Sequence, residues 1–358
     1  MRIMVESLPI WCGFNLLEKF YRNDPFDEVD FKRAAEWGFN FFRLPMDYHC
    51  WILNEDPYKV NEKVLVEIDD AVALGKKYGI HLNLCFHRAP GFTVNQSAKE
   101  PFNLWRDEEA QAACEFHWRL FAKRYKGLSN KVVSFNLVNE PYGTTMPVYK
   151  KFVERMLEGI WEEDKKRLVI ADGLIVPDGH YKPVTEINNP LFGQSFHVYE
   201  PHWITHIMAS WAGVWGNYDE QPKYPCEAPN LDKYIEKLPP DSPSRRDFQR
   251  WKGVFVDKKW LKNWMKPWFE FRKETGSLIH CGELGTYAYK VPRQTQLNWF
   301  KDILGILKEN KVGWAQWNFR GSFGIINTGR EEFHSEILPN GDRLDRQMLE
   351  ILRKNIVR

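Results

Sequence analysis

Asn136-Leu137-Val138-Asn139-Glu140-Pro141 is the stretch whose reading decides the fold. With Val132, Val133 and Phe135 just before it, it forms an apolar run of β type that delivers a carboxylic acid directly in front of a proline. A strand with helical patterns on both sides belongs to a parallel sheet covered on both faces, so its side chains stay apolar until the chain leaves the sheet. Asn139 and Glu140 break that rule. Pro141 has no N–H for a ladder and biases Glu140 away from helical geometry. The strand is therefore expected to end here, with the carboxylate at the sheet's carboxyl edge. Ligands in α/β proteins bind at that edge.

Working outward, seven more apolar runs alternate with amphipathic patterns. Strands are predicted over 10–15, 39–44, 80–86, 132–138, 168–171, 193–198, 278–281 and 312–317. Between them, Val64, Ile68, Ala71, Val72 and Leu74 make a helical stripe that stops at Lys76, Lys77 and Gly79. Ala113, Phe116, Leu120 and Phe121 make another that ends at Lys126-Gly127, and Met348, Leu349 and Leu352 mark a last helix. Eight strand-helix units predict an α/β fold, a (β/α)8 TIM barrel, with 1–358 as one catalytic domain. No linker, short-period repeat or low-complexity segment divides it. One segment departs from the spacing: 200–256 carries Trp203, Trp211, Trp215 and Trp251 among prolines and charges. It reads as a long loop insertion after the sixth strand, above the same carboxyl-end face as Glu140 and placed to wall a cleft.

Composition narrows the partners. Fifty Lys and Arg against 48 Asp and Glu leave a net charge of +2, which gives no electrostatic case for nucleic acid or an anionic membrane. Sixteen Trp, 14 Tyr and 24 Phe exceed what one core takes up and suggest stacking on something flat. Cys12, Cys50, Cys85, Cys114, Cys226 and Cys281 are scattered with no C-x-x-C pair, so neither a zinc site nor a disulfide framework is expected. Residues 1–6 hold no sustained apolar segment. The expectation is a soluble, cytoplasmic protein as the sequence stands, or a secreted one if a leader has been trimmed.

Gly282-Glu283-Leu284-Gly285 repeats the logic of Asn139-Glu140-Pro141, an apolar run ending in a glutamate. In a barrel the fourth and seventh strands face each other across the mouth, so Glu140 and Glu283 are placed to flank a substrate bond. Two carboxylates astride one bond are the minimum equipment for glycoside hydrolysis. Arg43, His87, His197, Tyr199 and Trp317 stand at other strand ends. Each has an ordinary structural reading when taken alone, as a buried ion-pair partner, a satisfied histidine or a packing ring. Jointly, polar groups at most strand ends are costly to bury unless they satisfy one another around a site.

On these residues the chain resembles glycoside hydrolase family 5, the (β/α)8 retaining β-glycanases, and especially its compact single-domain bacterial endoglucanases. The resemblance implies that Glu140 is the general acid/base and Glu283 the nucleophile. It makes Arg43 and Tyr199 the groups that hold Glu283 ionised, and Asn139 the contact to the sugar 2-hydroxyl. His87 and His197 would bind substrate or the acid/base, and Trp317 would be the stacking floor. A double displacement with retention follows, with carboxyls about 5–5.5 Å apart and the Glu140 pKa above that of Glu283. No metal and no cofactor are implied.

The expected enzyme is a monomer acting on a β-linked oligo- or polysaccharide, first β-1,4-glucan. Alternatives are β-mannan or glucomannan, or exo action on short oligosaccharides. A glycan-binding protein without catalysis is the other class, and it has no need of both carboxylates. Trp105, Trp203, Trp211 and Trp215 read equally as sugar platforms or as loop anchors. Glu115-Phe116-His117 has no partner motif at metal-ligand spacing, and the charges of 161–167 read as a solvated helix end. His202 and His206 stay outside the catalytic set.

Overall fold

The computed structural model describes residues 8–95 and 99–357, apart from the side chain of Tyr21; the amino-terminal residues 1–6 lie outside them. Each predicted apolar run becomes a strand: β1 (Cys12–Asn15), β2 (Phe41–Asp47), β3 (His81–Ala89), β4 (Val133–Asn136), β5 (Val169–Asp172), β6 (Phe192–Val198), β7 (Leu278–Leu284) and β8 (Gly313–Gln316). These are the strands of a (β/α)8 barrel. Their residues are almost all buried, as parallel strands covered on both faces must be.

Two groups of residues pack chiefly among themselves, one made of the chain up to Phe196 with Phe271–Gly282, the other of His197–Glu270 and Glu283–Val357. In the first group β1 through β6 pair in parallel in the order of the chain. The register sets Asn15 beside Arg43, Arg43 beside Asn83, and Cys85 beside Asn136, so polar side chains of successive strands fall at one level. Gly13 is required by proximity: a Cβ there would lie 1.8 Å from the Phe41 carbonyl oxygen. Toward the amino ends of the strands the core is an aromatic plug. Trp11 stacks on His81 at 3.9 Å, Phe41 packs on His280 at 4.6 Å, and His280 Nε2 lies 3.2 Å from the Trp11 carbonyl.

The helices of this group start and stop where the sequence signals them. Helix α1 (Glu28–Glu36) is capped by the Asp27 side chain accepting from Val29 N–H, and α2 (Glu62–Tyr78) by Asn61 accepting from Lys63 N–H. Helix α2 buries Val64, Ile68, Ala71 and Val72 and ends at Gly79 with φ 70°, a left-handed residue that glycine supplies without strain. Helices α3 (Glu108–Arg124) and α4 (Met146–Glu163) follow β3 and β4.

The fifth unit differs from the expected pattern. Between β5 and β6 there is no helix; Leu174–Ile175 pairs antiparallel with Tyr181–Lys182 in a small hairpin. Pro177, Gly179, Pro183 and Pro190 interrupt any helical run here, and Pro177-Asp178-Gly179 is turn chemistry. The hairpin is fixed to the strand-4 exit by Ile175 N–H donating to the Pro141 carbonyl at 2.8 Å.

In the second group the segment 200–256 has more order than a bare loop. It forms short helices His202–Thr205, Leu231–Ile235 and Pro243–Gln249 and a 3-10 turn Gly213–Asn217. Their core is aromatic, with Trp215 4.7 Å from Phe248 and Tyr234 stacked on Phe248 at 5.4 Å. Trp203, Trp215 and Trp251 are buried in this packing, whereas Trp211 is 60% exposed. Three of these four rings thus anchor the segment. Helices α5 (Lys258–Thr275), α6 (Arg293–Glu309) and α7 (Arg346–Lys354) complete the chain. No helix among the described residues is long and apolar enough to cross a membrane.

His117 on α3 is wholly buried, with Trp51 Nε1–H donating to its Nδ1 at 3.2 Å. Burial pushes its pKa from 6.5 down to about 3. Below pH 6.5 the unfolded chain takes up a proton that the folded chain refuses. The stability is therefore complete above 6.5 and is lost as pH falls toward 3, at up to about 1.4 kcal/mol per pH unit. We expect His117→Gln to lose about 2 kcal/mol less stability than wild type between pH 6.5 and 5.0, read by urea unfolding at both values.

Candidate active site

A buried polar layer centred on Arg43 of β2 takes in the last residues of β1, β4 and β5, Asn15, Asn136 and Asp172. Arg43 Nε donates to Asn136 Oδ1 at 2.9 Å and its Nη1 to Asn15 Oδ1 at 3.1 Å. Nη2 donates to Asn139 Oδ1 at 2.7 Å and to Cys85 Sγ at 3.0 Å, and meets Asp172 Oδ2 at 3.5 Å. Arg43 and Asp172 side chains are both fully buried, so the charge of each is matched inside the protein. Asp172 also accepts from Asn136 Nδ2 at 3.0 Å and from the Glu140 backbone N–H at 3.1 Å.

Strand β4 ends at Asn136, earlier than the sequence pattern suggests, although Leu137 N–H still donates to the Ile170 carbonyl of β5 at 3.0 Å. Asn139 N–H donates to the Phe86 carbonyl at 2.9 Å. Since a guanidinium only donates, Asn139 Oδ1 is fixed as the acceptor, and Nδ2 then faces His87 Nε2 at 3.3 Å as a donor. His87 is thereby held as the tautomer with hydrogen on Nδ1. Its ring meets the Phe20 ring at 4.3 Å.

Glu140 has φ 48°, a left-handed conformation that a residue with a Cβ adopts only when its surroundings enforce it. Here Asp172 holds its N–H, and the next carbonyl, that of Pro141, holds the hairpin. The Glu140 side chain is half-buried, and Tyr181 O–H donates to its Oε1 at 2.6 Å.

Glu283 belongs to the second group. It is 3% exposed, and its Oε2 accepts from Tyr199 O–H at 2.8 Å, with His197 Nδ1 at 3.6 Å. The phenol hydrogen bond fixes the orientation of this buried carboxyl. Tyr199 is itself held: Thr205 Oγ1 donates to its carbonyl, and its ring stands edge-on to Phe323 at 6.2 Å. Trp317, just past β8, is half-buried and donates its N–H to the Leu284 carbonyl at 2.8 Å. Gly285 permits this approach, since a Cβ there would lie 2.8 Å from the Trp317 carbonyl oxygen.

The sequence-derived residues thus occur as two described sets. Arg43, His87, Asn139 and Glu140 share one hydrogen-bonded network, and His197, Tyr199 and Glu283 another, with Trp317 tied to the end of β7. Asn15, Asn136, Asp172 and Tyr181 were not foreseen. Asp172 carried a usable signal, a charged residue directly after the apolar run 168–171. Tyr181 carried none, because its role depends on the hairpin. Trp105 resolves as packing, buried against Phe92 at 4.9 Å.

Residues 10–322 match the family model described as Cellulase (glycosyl hydrolase family 5). Endoglucanase C of Acetivibrio thermocellus is 27% identical over 314 residues, covering 87% of this chain and 89% of the relative. Cellodextrinase A of Ruminococcus flavefaciens is 24% identical, covering 80% and 76%. A solved glycoside hydrolase structure superposes with a TM-score of 0.82 at 32% identity, covering 98% of this chain and 100% of the other. Endoglucanase Cel5A of Thermotoga maritima, at 20% identity and a TM-score of 0.71 over 96% of each chain, shares the fold.

Removing the Asp172 carboxylate strips the buried Arg43 of a counter-charge and releases the Glu140 N–H. We expect Asp172→Ala to lower stability by about 3–5 kcal/mol and Asp172→Asn by less, measured by guanidinium unfolding.

Proposed function

The chain belongs to glycosyl hydrolase family 5, and from that membership we propose an endo-acting β-1,4-glucanase in which Glu140 is the general acid/base and Glu283 the nucleophile. The observation that carries this reading is the treatment of the two carboxyls: each stands at a strand exit, and each receives a tyrosine hydroxyl, Tyr181 on Glu140 and Tyr199 on Glu283. The relatives named endoglucanase support glucan as the substrate. The family match over 10–322 supports taking 1–358 as one catalytic domain.

In the first step Glu140 gives its proton to the leaving glycosidic oxygen while Glu283 attacks the anomeric carbon. In the second, Glu140 as carboxylate takes a proton from the water that displaces Glu283, and the configuration is retained. This mechanism needs the two carboxyls about 5–5.5 Å apart. Tyr199 favours the ionised nucleophile, and its hydrogen bond weakens as the carboxylate charge is consumed in the glycosyl ester. Asn139 presents the second hydrogen of Nδ2 to the sugar 2-hydroxyl, its Oδ1 being held by Arg43. In this reading His87 and His197 orient substrate and acid, and Trp317 carries the sugar face next to the cleaved bond.

A second reading, cleavage of short oligosaccharides, is favoured by the cellodextrinase relative. Reducing-sugar release from soluble β-1,4-glucan, β-mannan and glucomannan, with early products sized, separates them. We expect mixed oligosaccharides from glucan, reduced roughly 10⁴-fold in Glu283→Gln. Stepwise loss of single sugars from oligosaccharides with polymers intact would favour the second reading, and release from mannan alone would replace glucan. A first product of inverted configuration would overturn the mechanism.

A further inference from the structure

We infer that Tyr181 is a positioning residue for the acid/base, supplied by the hairpin that stands where a fifth barrel helix is expected. The inference rests on the reading of Glu140 as that acid/base. Three bonds in the first residue group lead to it. Glu140 leaves β4 in a left-handed conformation with its N–H on Asp172 Oδ2 at 3.1 Å. Pro141, the next residue, receives Ile175 N–H at 2.8 Å, so the hairpin hangs from the backbone that carries Glu140. Tyr181 pairs directly opposite Ile175 in that hairpin and donates its hydroxyl to Glu140 Oε1 at 2.6 Å. Backbone and carboxyl of the same residue are therefore fixed by one short excursion of chain.

The chemical consequence concerns which oxygen carries the proton. Oε1 accepts the phenol hydrogen bond in either charge state, as carboxylate or as the carbonyl oxygen of the acid. The proton of the neutral acid is then directed to Oε2, and the carboxyl plane is held while that proton passes to the leaving oxygen. On return to the carboxylate, Oε2 takes the proton of water. Tyr181 exchanges no proton itself. Its contribution is orientation, which matters only for steps in which Glu140 transfers a proton.

The test uses kcat/KM, which reports the glycosylation step, for phenyl and 2,4-dinitrophenyl β-cellobiosides, or the mannobiosides should mannan be the polymer cleaved. Dinitrophenolate leaves without protonation, whereas phenolate at its higher basicity requires an acid. Tyr181→Phe keeps the ring and removes the donor. We expect a loss of about tenfold to a hundredfold on the phenyl glycoside, the range for a hydrogen bond to a charged group, with the dinitrophenyl glycoside within about twofold of wild type. Adding Tyr181→Phe to Glu140→Ala should then cost nothing further on either substrate. Equal losses on both substrates, an unchanged phenyl rate, or a loss that persists in the Glu140→Ala background would overturn the inference. Glu140→Ala alone keeps the two failures apart. If it does not spare the dinitrophenyl substrate, and azide does not restore its turnover, the acid/base assignment falls, and the inference with it.

Discussion

A guanidinium cannot lose its charge inside a protein, and Arg43 is placed where no water reaches it. The carboxyl end of the first residue group is organised by that fact. Asn15 from the end of β1 and Asn136 and Asn139 from the end and exit of β4 offer carbonyl oxygens, and Asp172 from the end of β5 a carboxylate, all gathered on one planar fork. None of these partners is a redundant neighbour. Asn139 passes the constraint to the His87 tautomer, and Asp172 passes it to the Glu140 backbone. The Glu140 backbone is therefore tied, through Asp172, to a buried cation.

Glu283 is fixed by different means. Its hydrogen-bonding support comes from Tyr199, whose own main chain is held by the short helix that opens the 200–256 segment. That segment brings an aromatic core of its own, so it can hold Thr205 and Tyr199 firmly although it lies outside the regular β-α repeat. A bare loop of this length would leave Tyr199 loosely anchored.

The sequence was informative wherever local rules govern. Apolar runs of four to seven residues gave all eight strands, and the rule that a buried strand ends at its first charge led directly to Glu140 and Glu283. Asn136 was hidden because a polar residue inside an apolar run is unremarkable until its partners are known, and those partners lie 93 residues away at Arg43 and 36 away at Asp172. Proline and glycine spacing in 173–190 refuses a helix, a local signal that a count of strand-helix units does not register. The tryptophans of 200–256 were visible as a group, yet nothing local separates the buried Trp203 from the exposed Trp211. That division is made by packing.

The left-handed backbone of Glu140 sets a direction for mutational drift. Glycine, and to a smaller degree asparagine, fit that conformation better than glutamate does. In the acid/base reading proposed for Glu140, turnover thus requires a residue that the folded state alone would not favour. Lineages of this chain released from selection for turnover, or laboratory libraries sorted only for heat resistance, should lose this glutamate early and keep Arg43 and Asp172, whose mutual burial the fold itself protects.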